Sequence, residues 1–372
     1  MSNPHVYTLG IEEEFQLIDP ATRELRSRSK EIIEASKGTL RGQVASELHQ
    51  SMIELETKIC PDIHAARRQI IDLRSELVRL AACDGLKIAS AGAHPFSRWE
   101  DQPITDKKRY RTILQDMQQI ARSNVIFGLH VHVGIPDREV GIAIMNEVRY
   151  FLPHLFALSA NSPFWQGEDT GLKTYRQVIF ERLPHTGMPE AFASLAEFDN
   201  YIDLLVSTDC IEDATKIWWD VRLHPSFDTV EFRICDAQSR VDDTIALAAL
   251  MQAIVVRLQQ LRSEKESFPI YPRRLLEENR WRAARFGLDG ELIDFERRAA
   301  RPERELIHEL LDFVAPAVDE LGSSSELKHI EQILREGTGA DRQLAVWENS
   351  QDLKLVVDHL IQETNEGLHD GG

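Results

Sequence analysis

Four short stretches of this 372-residue chain set ionisable side chains two residues apart. "LGIEEEFQLID" (9–19) carries Glu12 and Glu14 on either side of Glu13. "QSMIELET" (50–57) carries Glu54 and Glu56, and Glu47 lies just upstream. "GLHVHVG" (128–134) carries His130 and His132, and "TVEFRIC" (229–235) carries Glu231 and Arg233. Successive side chains of a strand point to opposite faces. Each pair therefore shares a face, while Glu13 turns the other way, beside Ile11 and Phe15. If the four faces line one side of one sheet, they make a floor of carboxylates with imidazole and guanidinium. Carboxylates packed together repel, and burial raises their pKa unless cations neutralise them. Hard oxygen donors with one or two imidazoles suit Mg²⁺ or Mn²⁺, whereas Zn²⁺ prefers more nitrogen and sulfur. The H-x-H pair alone would also serve Zn²⁺. A single E-x-E strand is commonly just a solvated sheet face. Its repetition on four strands points to a metal-compatible floor, and spacing takes the argument no further.

Two irregular stretches accompany these strands. "NSPFWQGEDTGLKTYR" (161–176) ends on Arg176 and has the polar, Gly- and Pro-broken character of a binding loop. "WWDVRLHPSFDTVEF" (218–232) runs through Arg222 and His224 to Glu231. Arginines there suit bidentate capture of carboxylate or phosphate, although for each taken singly a structural salt bridge is the better reading.

The elements that must position these residues read as follows. "YTLGIEEEFQLID", "QSMIELET", "LKIASAGA", "NVIFGLHVHVGI" and "TVEFRICDA" are strands. "HAARRQIIDLRSELVRLAACDG" is a helix with Ile70, Leu73, Leu77 and Leu80 on one stripe and Gly85 as its stop. "DKKRYRTILQDMQQIARS" is a helix, as are 138–160, kinked at Pro153, and 242–262. "SEKESFPIYP" (263–272) is the best boundary, and beyond it the chain reads as almost wholly helical, closing on a frayed "NEGLHDGG". The expected fold class is α+β: a mostly antiparallel sheet with helices packed outside it and a helical C-terminal part. Residues 1–262 form the catalytic sheet domain and 263–372 a helical region packed on it, unless the two are one domain.

Composition sets limits. There are 43 basic and 61 acidic residues, a net charge of -18, which argues against nucleic acid or an anionic membrane as partner. A few arginines with divalent metal still suffice to hold a triphosphate. No run of about 18 apolar residues exists to span a membrane, and "MSNPHVYTLG" lacks the character of a secretory signal. Cys60, Cys83, Cys210 and Cys235 are widely spaced and read as free thiols of a reducing compartment, so a bacterial-type cytoplasmic location is expected. P-loop, G-x-G-x-x-G, H-E-x-x-H and G-x-S-x-G patterns are absent.

Taken together, "TLGIEEEFQLID", "GAHPFSRWED", "GLHVHVGIPD", "NSPFWQGEDTGLKTYR" and "WWDVRLHPSFDTVEFRICD" resemble the signature stretches of bacterial carboxylate–amine ligases, glutamate–cysteine ligase type 2, over nearly the whole chain. One departure is Asp228, where that family commonly has Gly. The resemblance implies a glutamine-synthetase-like antiparallel sheet curved around a metal–ATP site. It implies Glu12 and Glu14 as metal ligands, Glu47 and Glu54 as metal or substrate contacts, and His130 and Glu231 as further ligands. Arg233 would stabilise the moving phosphoryl group with Glu231 beside it, and Arg176 and Arg222 would contact phosphate or carboxylate. The implied reaction uses ATP and Mg²⁺ (or Mn²⁺) to join an acid to an amine through an acyl phosphate, with glutamate and cysteine as the small-molecule substrates. A homodimer would be unsurprising. A metal-dependent hydrolase on the same floor, or a catalytically silent nucleotide or metabolite binder, are the alternatives, and ADP release separates them from the ligase.

Overall fold

The computed structural model describes residues 6–369; the opening MSNPH and the final DGG of the expected frayed tail lie outside the described residues. The chain enters through β1 (Leu9–Ile18), α1 (Ser29–Ser36), β2 (Val44–Ser46), β3 (Met52–Glu56), α2 (Ile63–Cys83) and β4 (Lys87–Ala89). It continues through α3 (Lys108–Arg122), β5 (Leu129–Gly134), α4 (Arg138–Val148) and α5 (Leu152–Leu158). Two small pairs follow, the hairpin β6 (Phe164–Trp165) with β7 (Glu168–Asp169), and β8 (Thr186–Gly187) parallel to β9 (Trp218–Trp219). Helix α6 (Arg176–Phe180) lies between the two pairs and α7 (Leu195–Ser207) between β8 and β9, and then come β10 (Val221–Leu223), β11 (Thr229–Phe232) and the long α8 (Val241–Ser263).

The main sheet has seven strands, in the order β10-β11-β5-β1-β3-β2, with β4 also on β1. Every pairing in it is antiparallel. The long β1 is central. Its first half pairs with β5 and its last three residues with β4, while β3 runs along its other edge.

One face of this sheet is apolar. Leu9, Ile11, Leu129, Val131, Val133, Val230 and Phe232 are buried with residues of α4, α5 and α8. Phe15, Leu17, Ile53 and Leu55 are buried with Leu73, Leu77 and Leu80 of α2. The alternating residues of the same strands make the other face, which carries the ionisable pairs. Register therefore decides everything here, since a slip of one residue would exchange the two faces.

Two expectations change. Residues 138–160 do not form one kinked helix: α4 ends at Val148 and α5 begins at Leu152, with Pro153 at its first turn, where a missing N–H costs nothing. The region after 272 is not all helix. Besides α9 (Arg273–Phe286), α10 (Glu303–Leu321), α11 (Ser324–Glu336), α12 (Gly339–Ser350) and α13 (Leu353–Asn365), it contains a hairpin of β12 (Glu291–Asp294) and β13 (Ala299–Pro302). Leu276, Leu306 and Ile330 from this region share one apolar cluster with Ile245 and Leu247 of α8. Asp228 is accommodated without left-handed backbone, and its carbonyl accepts from Ile135 N at 3.0 Å.

Candidate active site

The register of β1 distributes its two inward carboxylates. Glu12 lies opposite His130 of β5 on one side and Glu56 of β3 on the other, while Glu14 lies opposite Glu54. Glu231 of β11 lies opposite His132, and Arg222 of β10 opposite Glu231. The result is two clusters. In one, ligand atoms of Glu12, His130 and Glu231 lie within 4.8 Å of one another; in the other, those of Glu14, Glu47 and Glu54 do. All six residues expected as metal ligands fall into these two groups. Five of them line a cavity of about 340 Å³ whose wall also includes Glu56, Arg109, Tyr110, Trp218, Arg222 and Arg233; Glu231 is buried behind Arg222 and Arg233, with which it is paired.

The two clusters differ electrostatically. Glu12 is held by His130 Nδ1 at 3.0 Å and His132 Nε2 at 3.1 Å. Burial works to raise its carboxyl, but these two imidazoles outweigh burial and keep it well below the usual range. Burial and Arg233 push His130 down to about 4; for His132 burial is outweighed by Glu231 and Glu12, which raise it. Glu231 accepts from Arg222 Nε at 2.6 Å and is also paired with Arg233. Those guanidiniums and His132 overcome burial and hold Glu231 low.

Among the described residues no side-chain cation is hydrogen-bonded or ion-paired to the second cluster; Arg176 and Arg233 act on Glu14, and Arg109 on Glu47, only through space. Burial, then the charge of Glu47, pushes Glu14 up to about 8, although Gly128 N–H donates to it at 2.5 Å. Burial also raises Glu47, and burial with Glu47, Glu12 and Glu14 raises Glu54. Three carboxylates at one point demand protons or a cation. Their oxygens are the donor set of Mg²⁺ or Mn²⁺, and Glu12, His130 and Glu231 add a set of two hard carboxylates and one softer imidazole.

This asymmetry has a measurable sign. Glu14 titrates above its ordinary 4.5, so the native state keeps a proton that the unfolded chain releases. Its stabilisation is present below about pH 4.5 and lost as pH rises through about 8. In chelator, the melting temperature should fall between pH 6 and pH 8.5 by more than it does in Glu14→Gln. At pH 8.5, Mn²⁺ at a hundred times its dissociation constant should restore about 2.7 kcal/mol. Identical melting at both pH values, unmoved by Mn²⁺, would contradict a cation at this cluster.

The arginines divide as well. Arg222 and Arg233 reach the cavity. Arg176 is fully buried outside its lining, with Nη1 donating to the carbonyls of Arg233 at 3.4 Å and Ile234 at 3.3 Å. Gly128 explains how it fits: a Cβ there would stand 2.3 Å from Arg176 Nη2. Sequence spacing passed over Arg109, Tyr110, Trp218 and Asn124, which also line the cavity. One signal was available. Lys107, Lys108, Arg109 and Arg111 crowd the start of α3, where the helix dipole disfavours cations, so something other than helix stability places them there.

Beside the acidic cavity lies a second, more apolar cleft of about 360 Å³, sharing Glu12 and Glu56 with it. Ile59, Phe227 and His132 line this cleft, and Phe227 stacks on His224 with centroids 4.6 Å apart.

The family model of glutamate–cysteine ligase family 2 matches residues 8–359. The chain belongs to this family. A ligase of this family from Solibacter usitatus, provisionally named glutamate–cysteine ligase 2, is 50% identical over 362 residues, 97% of this chain and 94% of that protein. One of the same name from Roseiflexus castenholzii is 53% identical over 362 residues, covering 97% and 96%. Among solved structures, the glutamate–cysteine ligase of Francisella tularensis in complex with AMP superposes with a TM-score of 0.70 at 13% identity, covering 98% of this chain and 90% of that one. A bifunctional glutathione synthetase from Pasteurella multocida gives 0.68 at 13%, covering 98% of this chain and 53% of that one. These likenesses show the shared fold. Glutamate–cysteine ligase family 2 membership makes the chain an ATP-dependent ligase of the carboxylate–amine type. Among the described residues no helix is long and apolar enough to cross a membrane.

Proposed function

We propose that the chain phosphorylates the side-chain carboxylate of glutamate with ATP and joins the acyl phosphate to the amine of cysteine, giving γ-glutamylcysteine, ADP and phosphate. The substrates follow the names of its relatives. The observation that carries the reaction class is the pair of carboxylate-rich clusters on one floor, with Arg222 and Arg233 ion-paired to a member of only one of them.

A carboxylate resists an amine because its charge repels the nucleophile and it has no leaving group. Phosphoryl transfer from ATP supplies one, and its main needs are positioning and neutralised charge. Glu12, His130 and Glu231 would hold one divalent cation, and Glu14, Glu47 and Glu54 another. Such cations supply charge neutralisation for the phosphates and the attacked carboxylate. Arg233, fixed by its ion pair to Glu231, stabilises the phosphoryl group as charge spreads over its oxygens. Arg222 reinforces Glu231 from the neighbouring strand and leaves it acceptor-only. The apolar cleft at Glu12, with the His224–Phe227 stack, suits the nucleoside, and the acidic cavity suits the acid. Arg176 acts from behind the floor, as support for the turn at Arg233 and Ile234. The four cysteines are unpaired thiols, in keeping with cytoplasmic work.

The test is ADP release across a panel of amino acids, with hydroxylamine present to trap acyl phosphate. Glutamate should give ADP and hydroxamate together. Absence of both with every acid would sink the ligase reading, and turnover without ATP would favour the hydrolase.

A further inference from the structure

The cations around the floor are unequally committed. Arg222 donates to Glu231 and to the Ile217 carbonyl at 2.7 Å, and Arg233 is paired with Glu231. Arg109 is different. Among the described residues its exposed side chain makes no hydrogen bond or salt bridge, yet it lines the cavity and is close enough for its charge to act on Glu47 and Asp213. Its charge acts on Glu47 of the Glu14–Glu47–Glu54 cluster, and it has no ion pair to Glu231 such as Arg222 and Arg233 have.

Its backbone is nonetheless fixed. Tyr110 Oη donates to the Ser46 carbonyl at 2.8 Å, and Lys107 Nζ reaches the same oxygen at 3.3 Å. Just before the helix, Thr105 N donates to Leu48 O at 2.8 Å and Gln50 Nε2 to Ile104 O at 2.9 Å. At its far end His49 Nε2 meets the Arg122 carbonyl at 3.0 Å. The first turn of α3 is thus tied to the segment that carries Glu47, while the Arg122 contact lies beyond a kink at Gln118, and Arg109 projects from that tied turn with its own donors free. A guanidinium held over a carboxylate cluster, with no protein acceptor, is a fork prepared for an anion from solution.

We infer that Arg109 binds a second carboxylate of the acid substrate, the one that does not react, and so selects dicarboxylic amino acids over monocarboxylic ones. This rests on the ligase reading. Phosphate is the competing anion; Arg233, paired with Glu231, is the guanidinium assigned to it, and Arg109, unpaired among the described residues and acting on Glu47, is left for the acid. Arg109 is a specificity residue in this assignment, because the phosphoryl group moves elsewhere.

The test is calorimetric binding of L-glutamate and of 4-aminobutyrate, which lacks only the second carboxylate, to protein carrying Mg-ADP. The wild type should bind glutamate about thirtyfold more tightly, the worth of one charge-assisted contact. Arg109→Ala should bring the two ligands within about threefold of each other, with the affinity for Mg-ADP unchanged. Arg109→Lys should keep part of the preference. Lys108→Ala, next in sequence but outside the cavity wall, should keep all of it. Melting temperatures should change little, since the Arg109 side chain has no hydrogen bond or ion pair to lose and only a through-space attraction to Glu47 and Asp213. Equal binding of both ligands by the wild type, a preference that survives in Arg109→Ala, or a loss of Mg-ADP instead, would each overturn the assignment. Failure of the ligase reading looks different: no ADP release by the wild type with any acid, whatever these affinities are.

Discussion

Glu14→Gln is expected to lower ADP release by at least about a thousandfold while leaving the protein as stable as before. The rate argument is electrostatic. Removing one carboxylate from the Glu14–Glu47–Glu54 cluster removes a charged donor from the cation that would neutralise the carboxylate under attack. A loss of about 4 kcal/mol of that stabilisation is a thousandfold in rate. The stability argument runs the other way. Glutamine keeps an oxygen to accept from Gly128 N–H, and it relieves the repulsion from Glu47 that helps raise Glu14 to about 8. At pH 8 without metal, Glu14→Gln should therefore melt at or above the wild-type temperature, and it should lose the stabilising response to Mn²⁺. Glu12→Gln should lose turnover to the same degree. It should also cost some stability, because it strips His130 and His132 of their shared charged acceptor. Turnover within tenfold of wild type in either variant would refute the metal assignment of its cluster.

Arg74→Ala is expected to destabilise the fold by about 4 kcal/mol, near the middle of the range for breaking a buried ion pair. Arg74 is the partner of Glu13 on the far side of β1. Its Nε donates to Glu13 at 3.0 Å and its Nη2 bonds the other carboxylate oxygen, with both side chains almost wholly buried. The same guanidinium reaches the carbonyls of Gln238 at 3.0 Å and Ser239 at 2.6 Å. Thr244 Oγ1 completes the site, donating to Glu13 at 2.7 Å. The cluster therefore pins α2, β1 and the start of α8 together beneath the catalytic floor. Alanine leaves Glu13 charged and buried with only a hydroxyl donor. In urea denaturation, Glu13→Leu combined with Arg74→Met should cost clearly less than the sum of the single changes. Strict additivity would mean that the two residues do not act as a unit.

Arg74 also shows how much could be read in advance. It lies at i+4 from Ile70 and directly follows Leu73, so the helical period places it on the apolar stripe of α2. A charge on a stripe bound for the core requires a buried partner, and Glu13, turned to the core between Ile11 and Phe15, requires one too. Each half of the pair was legible, but their meeting was not, because 61 residues separate them. The break between α4 and α5 and the hairpin β12–β13 went unread for a simpler reason: short irregular turns carry weak periodic signals.

What the sequence by itself determined is the sidedness of the site. The two-residue period of a strand puts Glu12, Glu14, Glu54, His130 and Glu231 on the polar face and Glu13 on the apolar one, whatever the strands do next. What only the tertiary structure decided is how those residues are grouped. Antiparallel register set Glu12 against His130 and Glu14 against Glu54. It thereby split one acidic floor into a cluster balanced by imidazoles and guanidiniums and a cluster left to attract a cation. Register, and the space that Gly128 leaves for Arg176, are relations between segments distant in the chain. Local spacing holds no information about them, because they arise only when side chains from different strands compete for the same volume and the same charge.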